Sequence, residues 1–576
     1  MVKKIWKVTS KIEDRAELLA QEIGVTPLVA QLLLNRGIND AKEAATFLRP
    51  DIKQLNDPFL LKDMERAVKR IERAINENEY VLLYGDYDVD GITSISLMVR
   101  VLARLFSGRL LYYIPKRLEE GYGLHRSSLE KVIAKGVTLV ITVDCGISAF
   151  EAAEYLKAQG VDLIITDHHE PQDLLPDAFA IINPKLNDSV YPFSQLAGVG
   201  VAFKLLQGLA EILPEIKGVL FNNLDLVAFG TVADIVPLLG ENRVLVKYGL
   251  QQINSTKNIG LQALIQTAGL KGREINSGHI GFILAPRINA AGRMGNPSIG
   301  VKLFINNNIG QALELARELD KENQNRQEIE NAVLLEAQEQ IKSQPELLNE
   351  HALVLASEGW HLGVIGIVAS RLVELYNKPV ILIGMEGDEG RGSGRSISGF
   401  NLFEAIEKNS HHLIRFGGHE FAAGLSISKD KLAEFKEGFL TLAKNTLRQE
   451  DLQPVLKIEG IIDLNHINMD MVQQLMQLAP CGPSNPTPIL GCRSLNLVDI
   501  KSVGDNGKHL KVRVSNQKVT YEGIGFNLGS VYEEVACARE VDLAFSVEEN
   551  NWNGISSVQL NLKDVRVAVE SIKQVS

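Results

Sequence analysis

Tyr80-Val-Leu-Leu-Tyr-Gly85-Asp86-Tyr-Asp88-Val-Asp90-Gly91 is the stretch on which the reading of the fold turns. Tyr80–Tyr84 is an apolar run with no polar alternation, the pattern of a strand covered on both faces. Three carboxylates alternate directly after it. Similar short runs recur at Leu110–Ile114, Leu139–Val143, Leu163–Ile165 and Ala180–Ile182, separated by stretches of helical spacing such as Ser148–Gly160. Strands alternating with helices predict a parallel α/β sheet over roughly 77–185. Open sheets of this class take their ligands outside the carboxyl ends of the strands, which is where these acids fall.

Other predicted strands carry acids at the same end. Ile141-Thr-Val-Asp144 ends in a carboxylate, and Leu163-Ile-Ile-Thr-Asp167-His168-His169 ends in a carboxylate and two imidazoles. Phe229-Gly-Thr-Val-Ala-Asp234-Ile-Val-Pro adds an acid among apolar neighbours. A solvated Asp-rich turn is the plain alternative for Asp86–Asp90 alone. Convergence of further acid-tipped segments argues against it. The stretch Asp86–Gly91 also fits the opening of a calcium-binding EF-hand. The twelfth position, however, is Leu97 instead of the bidentate Glu, and a strand precedes it, so calcium sensing is excluded. Four or five carboxylates with one or two imidazoles would repel one another without cations. Mixed oxygen and imidazole donors favour Mn²⁺, with Mg²⁺ as a substitute. Two such ions suit in-line displacement at phosphorus, so phosphoester hydrolysis is the expected chemistry.

The whole chain sets the bounds. Its 576 residues suffice for three to four domains, and 45% apolar with 23% charged residues excludes disordered and fibrous classes. Lys plus Arg number 60 against 71 Asp plus Glu, a net charge of −11, which excludes a protein that coats nucleic acid indiscriminately. Locally the balance reverses: Arg100–Lys135 holds eight Lys/Arg and three Asp/Glu, a segment of +5. Four cysteines form neither a disulfide framework nor a zinc pair, consistent with a reducing cytosol. The N-terminus carries no continuous apolar region of a secretory signal. The longest charge-free stretch, Met471–Cys492, contains four prolines and so is no membrane helix. A cytoplasmic monomer with no membrane association is expected.

Further along, residues 1–55 read as mainly helical, with Pro27 at a helix start and Gly37 at its stop. Residues 311–343 read either as a solvated surface helix or as a helix connecting two lobes. Strand-like segments resume at Ala352–Leu355 and Val380–Ile383. The nine glycines of 384–424 predict a loop-built binding surface. From about 455, five strand-like runs with Gly and Asn turns predict a small β-barrel of OB type.

With these residues in hand, a family resemblance becomes visible. Asp86-Tyr-Asp-Val-Asp-Gly, Val143-Asp-Cys-Gly, Asp167-His-His and Thr231-Val-Ala-Asp-Ile-Val-Pro-Leu resemble the four ordered motifs of the DHH phosphoesterases. The similarity is greatest to the single-stranded-DNA-specific exonucleases of that family. Pro286-Arg-Ile-Asn-Ala-Ala-Gly-Arg-Met-Gly, Gly359-Trp-His-Leu-Gly-Val-Ile-Gly, Gly392-Ser-Gly-Arg-Ser and Phe416-Gly-Gly-His-Glu-Phe-Ala-Ala-Gly resemble the motifs that accompany them, the last two those of a second (DHHA1) lobe. One departure is Gly482-Pro-Ser484-Asn-Pro486, where many relatives carry Gly at the position of Ser484.

The resemblance implies an N-terminal helical segment (1–55), a DHH catalytic domain (56–305), a connecting helix (306–345), a DHHA1 domain (346–450) and an OB-like nucleic-acid-binding domain (451–576). It implies Asp88, Asp90, Asp144, His168 and Asp234 as metal ligands, with Asp86 a secondary candidate. His169 and Asp167 are the expected catalytic pair, His169 contacting the scissile phosphate and Asp167 orienting its neighbours. Arg117, Arg287, Arg293, Arg395, Ser396, Gly417, Gly418 and His419 are expected to hold the DNA backbone. The implied activity is 5′-to-3′ hydrolysis of single-stranded DNA with two Mn²⁺ or Mg²⁺ ions, in repair and recombination. A single-strand-binding protein and a helicase are the candidate partners. Two rival readings are a DHH hydrolase of oligonucleotides or cyclic dinucleotides and a non-catalytic DHH-fold replication scaffold.

Overall fold

The computed structural model describes residues 3–10, 12–117, 119–552 and 555–568. They form two compact units, one of residues 50–332 with 480–485, the other of 1–49, 333–479 and 486–576.

The first unit is built on five parallel strands: β1 (Tyr80–Gly85), β2 (Leu110–Tyr113), β3 (Val137–Val143), β4 (Asp162–Thr166) and β5 (Ala180–Ile182), in the order β2-β1-β3-β4-β5. All four pairings are parallel, with Val81 opposite Leu110 and Leu83 opposite Ile141. Successive side chains along a strand face opposite ways, and each face meets its own core. Val81, Leu83, Leu139, Ile141 and Ile164 enter one cluster. Leu82, Tyr84, Val140, Leu163 and Ile165 enter the other. This double covering is why the runs carry no polar alternation. Helices Val89–Leu102 and Gly198–Ile212 pack on the first face, and Phe150–Ala158 contributes to the second.

The second unit holds a mixed sheet and a barrel. The sheet contains β6 (Leu353–Glu358), β7 (Val380–Glu386), β8 (Glu389–Arg395), β9 (Leu413–His419) and β10 (Ala422–Ser428), ordered β9-β10-β8-β7-β6. Only β6 and β7 run parallel. Much of the glycine-rich stretch 384–424 is therefore strand instead of loop, which corrects the sequence reading. Gly390, Gly392 and Gly394 alternate along β8 over the core. A Cβ on Gly392 would lie 2.9 Å from Leu425 and 3.1 Å from Ile383, so glycine there admits neighbouring side chains. The barrel comprises β11 (Leu490–Val503), β12 (His509–Ser515), β13 (Thr520–Gly525), β14 (Glu540–Trp552) and β15 (Ile555–Val567). It runs β11-β12-β13-β15-β14 and is closed by pairing of β14 with β11. Residues 1–49 are not wholly helical: Ile5–Val8 is a strand paired in parallel with Val455–Ile458.

The helix Ile309–Ser343 runs across the division between the units at 332/333. Ala312, Ala316 and Leu319 are buried in the core of the first unit, and Val333, Ala337 and Ile341 are buried near its other end. It is a connecting helix, not a solvated one. Ser484 takes φ +59, the left-handed region that glycine fills without steric cost. The loop around it packs in the first unit, where Leu238 donates its amide to the Pro483 carbonyl and the buried Asn485 side chain to the Pro480 carbonyl.

Candidate metal centre

The carboxyl ends of β1, β3 and β4 place their acids side by side. Asp88 caps the Val89–Leu102 helix, accepting from the amides of Asp90 (2.9 Å) and Gly91 (3.1 Å). Asp90, in the first turn of that helix, accepts from the amides of Gly198 (2.6 Å) and Val199 (2.7 Å) at the start of the Gly198–Ile212 helix. Gly198 is required there, because a Cβ would meet Asp144 Oδ1 at 2.4 Å. Asp144 follows β3 at φ +61, an unusual conformation for a residue with a side chain, fixed by its amide donating to Thr166 (3.0 Å). Asp234 ends the Leu224–Ala233 helix, and the β-branched Ile235 after it also has positive φ (63°).

These side chains make overlapping sets of donors. Asp86, Asp88 and Asp144 form one, Asp90, His168 and Asp234 a second, and Asp144, His168 and His169 a third, each with its ligand atoms within 4.8 Å of one another. His168 Nε2 lies 3.1 Å from Asp144, 3.7 Å from Asp234 and 3.9 Å from Asp90. Asp86 Oδ1, Asp144 Oδ1, His168 Nε2 and Asp234 Oδ2 are buried without a hydrogen-bond partner. Orphaned buried acceptors are costly, and divalent cations would satisfy these four atoms. The donor set thus fits Mn²⁺ or Mg²⁺.

The electrostatics agree. Burial, then the neighbouring Asp88, pushes Asp90 up to about 7. Burial first and the other acids second hold Asp86, Asp144 and Asp234 well above the usual carboxylate range. Burial and the adjacent His169 lower His168 to about 3, leaving a neutral imidazole suited to a metal. Asp167 behaves differently. Fully buried, it accepts from the amides of Ile147 (2.9 Å), His168 (2.7 Å) and His169 (3.1 Å), and from His169 Nδ1 at 2.7 Å. Burial raises its carboxyl, but the His169 bond and charge more than offset this and hold it low. In return, burial lowers His169 while Asp167 more than restores it, so its imidazole stays above the ordinary value.

The expected DNA-binding residues fall in both units. In the first, the Arg117 guanidinium stands over the Tyr87 ring at 5.4 Å, and Arg293 is near enough to act electrostatically on Tyr87. Arg287 is held by Asp320 at 2.8 Å. In the second, Arg395 ends β8, while Gly417, Gly418 and His419 end β9. Arg395 and His419 both pair with Ala422 of the strand between them. Ser396 donates its hydroxyl to Phe400 and its amide to Phe421.

Sequence reasoning missed several contributors. The Gly198 and Val199 amides carry no side-chain signature. Asn289 accepts from the Val89 amide (3.2 Å), and Gly292 lies against Tyr87, where a Cβ would meet its carbonyl at 2.5 Å. The Asn-Ala-Ala-Gly spacing was their available signal. Tyr122, 3.2 Å from His169 Nδ1 and 3.4 Å from the Asp144 carbonyl, was marked only by its Gly-Tyr-Gly setting.

Comparison with known proteins follows the same division. Residues 80–231 match the DHH family, N-terminal domain; 349–446 match the DHHA1 domain; and 458–564 match the RecJ OB domain. The chain is 38% identical over 565 residues to the single-stranded-DNA-specific exonuclease RecJ of Bacillus subtilis, covering 98% of this chain and 71% of that one. It is 36% identical over 575 residues to that of Escherichia coli, covering 96% and 98%. The crystal structure of Thermus thermophilus RecJ in complex with Mn²⁺ is similar at a TM-score of 0.82 and 29% identity, over 98% of this chain and 79% of that one. A Mg²⁺ complex from the same organism is similar at a TM-score of 0.76 and 27% identity, over 98% and 78%. Among the described residues, no single helix is long and apolar enough to cross a membrane.

Proposed function

This chain belongs to the RecJ family of single-stranded-DNA-specific exonucleases, and from that premise we propose that it degrades single-stranded DNA from the 5′ end by two-metal phosphodiester hydrolysis. The observation that carries the reading is the pair of donor sets, Asp86–Asp88–Asp144 and Asp90–His168–Asp234, with buried acceptors that lack partners. Asp144 of the first set and His168 of the second lie 3.1 Å apart, so the two sets adjoin there. Ions held there supply charge stabilisation at the phosphate and activation of the attacking water.

The chain's own residues do the rest. Asp167 fixes the His169 ring through Nδ1, leaving Nε2 to donate to a non-bridging phosphate oxygen. Arg117 and Arg293 contact the backbone near Tyr87, and Arg395, Ser396, Gly417, Gly418 and His419 form a second phosphate-holding surface. The barrel supplies a single-strand platform. A separate helicase that opens duplex is the first proposed partner. A single-strand-binding protein is the second proposed partner.

A phosphodiesterase confined to oligonucleotides or cyclic dinucleotides has no use for the barrel. A non-catalytic scaffold has no use for the full acid and histidine set. The test is incubation with Mn²⁺ and single-stranded, duplex and dinucleotide substrates, the strands labelled at either end. Preferred cleavage of single strands with early release of the 5′ label is expected. Equal or faster cleavage of the dinucleotide would overturn the reading.

A further inference from the structure

Between β2, which ends at Tyr113, and the Arg126–Ile133 helix, the described residues 114–117 and 119–125 carry Arg117 and Tyr122. Gly121 (φ +87) and Gly123 (φ +92) flank Tyr122, so local backbone stiffness does not hold that ring in place. Glu120 gathers the surrounding elements instead. Its carboxylate accepts from the Tyr113 hydroxyl at the end of β2 (2.9 and 3.1 Å), from the Lys116 amide at the start of the loop (2.8 Å) and from the Ser128 hydroxyl on the following helix. Tyr84 adds a bond from its hydroxyl to the Gly123 carbonyl (3.1 Å).

Glu120 is also an acid inside the +5 segment, where a phosphate-binding loop gains nothing from negative charge as such. Its neighbour Glu119 shows the contrast: exposed, its side chain pairs with the exposed Lys116 ammonium at 3.0 Å. Burial raises the Glu120 carboxyl, but the Ser128, Lys116 and Tyr113 bonds together keep it below the usual value and ionised at neutral pH. Ionised, it accepts at both oxygens, which an amide cannot do.

We propose that Glu120 is a positioning residue for the exonuclease reaction, locking the 115–125 loop so that Arg117 over Tyr87 and Tyr122 beside His169 meet the substrate strand preorganised. The proposal rests on the reading that Arg117 contacts the DNA backbone and that His169, beside Tyr122, contacts the phosphate. A loop that must be ordered by the substrate binds it more weakly, while the metal ligands are untouched. The loss therefore belongs in KM and not in kcat.

The test is steady-state kinetics of the full chain on a single-stranded oligonucleotide with Mn²⁺, with thermal unfolding and Mn²⁺ affinity measured alongside. Glu120→Ala is expected to raise KM about tenfold with kcat within about twofold and with Tm and Mn²⁺ affinity unchanged, because the loop opens locally and must be reordered by the substrate while the fold stays intact. Glu120→Gln recovers part of the loss, and Ser128→Ala reproduces part of it. Glu119→Gln behaves as wild type. An unchanged KM in Glu120→Ala, a fall in kcat alone, or a loss that tracks a lower Tm or weaker Mn²⁺ binding would each overturn the proposal. Failure of the wild type to cleave single strands would instead overturn the functional reading.

Discussion

Asp167 and Asp144 are both buried acids at strand ends, yet their surroundings assign them opposite tasks. Asp167 has its oxygens filled by three amides and an imidazole, whereas Asp144 Oδ1 has no hydrogen-bond donor and faces the His168 Nε2 lone pair. The acids themselves are legible in the sequence, because a carboxylate at the tip of a buried strand needs a partner and several such tips recur along the chain. The amides that hold Asp90 are not, since they come from residues more than a hundred positions away and bear no distinguishing side chain. Asp167→Asn is expected to lower activity about 10- to 100-fold by freeing the His169 ring. Single-turnover rates at saturating Mn²⁺ check this.

The raised acids also give a pH dependence with a definite sign. A carboxyl whose folded value lies near 7, against about 3.9 unfolded, stabilises the metal-free fold below that unfolded value and loses this contribution as pH rises through 7. His168, neutral above about 3, costs a metal no proton near neutrality. Mn²⁺ bound by these acids would replace the protons they retain. The Mn²⁺-induced rise in Tm should therefore be small at pH 5 and grow through pH 8. Differential scanning fluorimetry across that range measures it, and a flat profile would contradict it.

At the scale of elements, all five strands of the parallel sheet are legible to within a residue or two, since burial on both faces writes an unbroken apolar run. The barrel strands are marked by their turns. The Gly390–Arg395 stretch misleads because glycine density signals either mobile loop or close packing, and composition alone does not distinguish them. Residue alternation over a core decides for packing. Gly392→Val forces a side chain into space held by Leu425 and Ile383 and is expected to destabilise its unit by about 1–3 kcal/mol. Denaturant unfolding monitored on the full chain reads the loss.

At the scale of the whole molecule, a net charge of −11 and a nucleic-acid substrate are compatible because the charges are segregated. Several of the acids make up the candidate metal centre, where cations would cancel part of the repulsion. The +5 segment, with Arg117 inside it, is opposite in sign. Arg117→Ala should weaken binding of all sequences similarly and lessen the dependence of log KM on log salt by about 0.7, the release of one counterion from a single strand. Substrate titrations over a range of salt concentrations provide the slope.

The ends of β1, β3 and β4, with Asp234, are proposed to hold a pair of ions at adjoining sets that meet at Asp144 and His168. Calorimetric titration of the metal-free chain with Mn²⁺ at pH 8 tests this most directly. About two ions per chain are expected for the wild type, with both sites impaired in Asp144→Asn. A single ion in the wild type, or unaltered binding in Asp144→Asn, would contradict it.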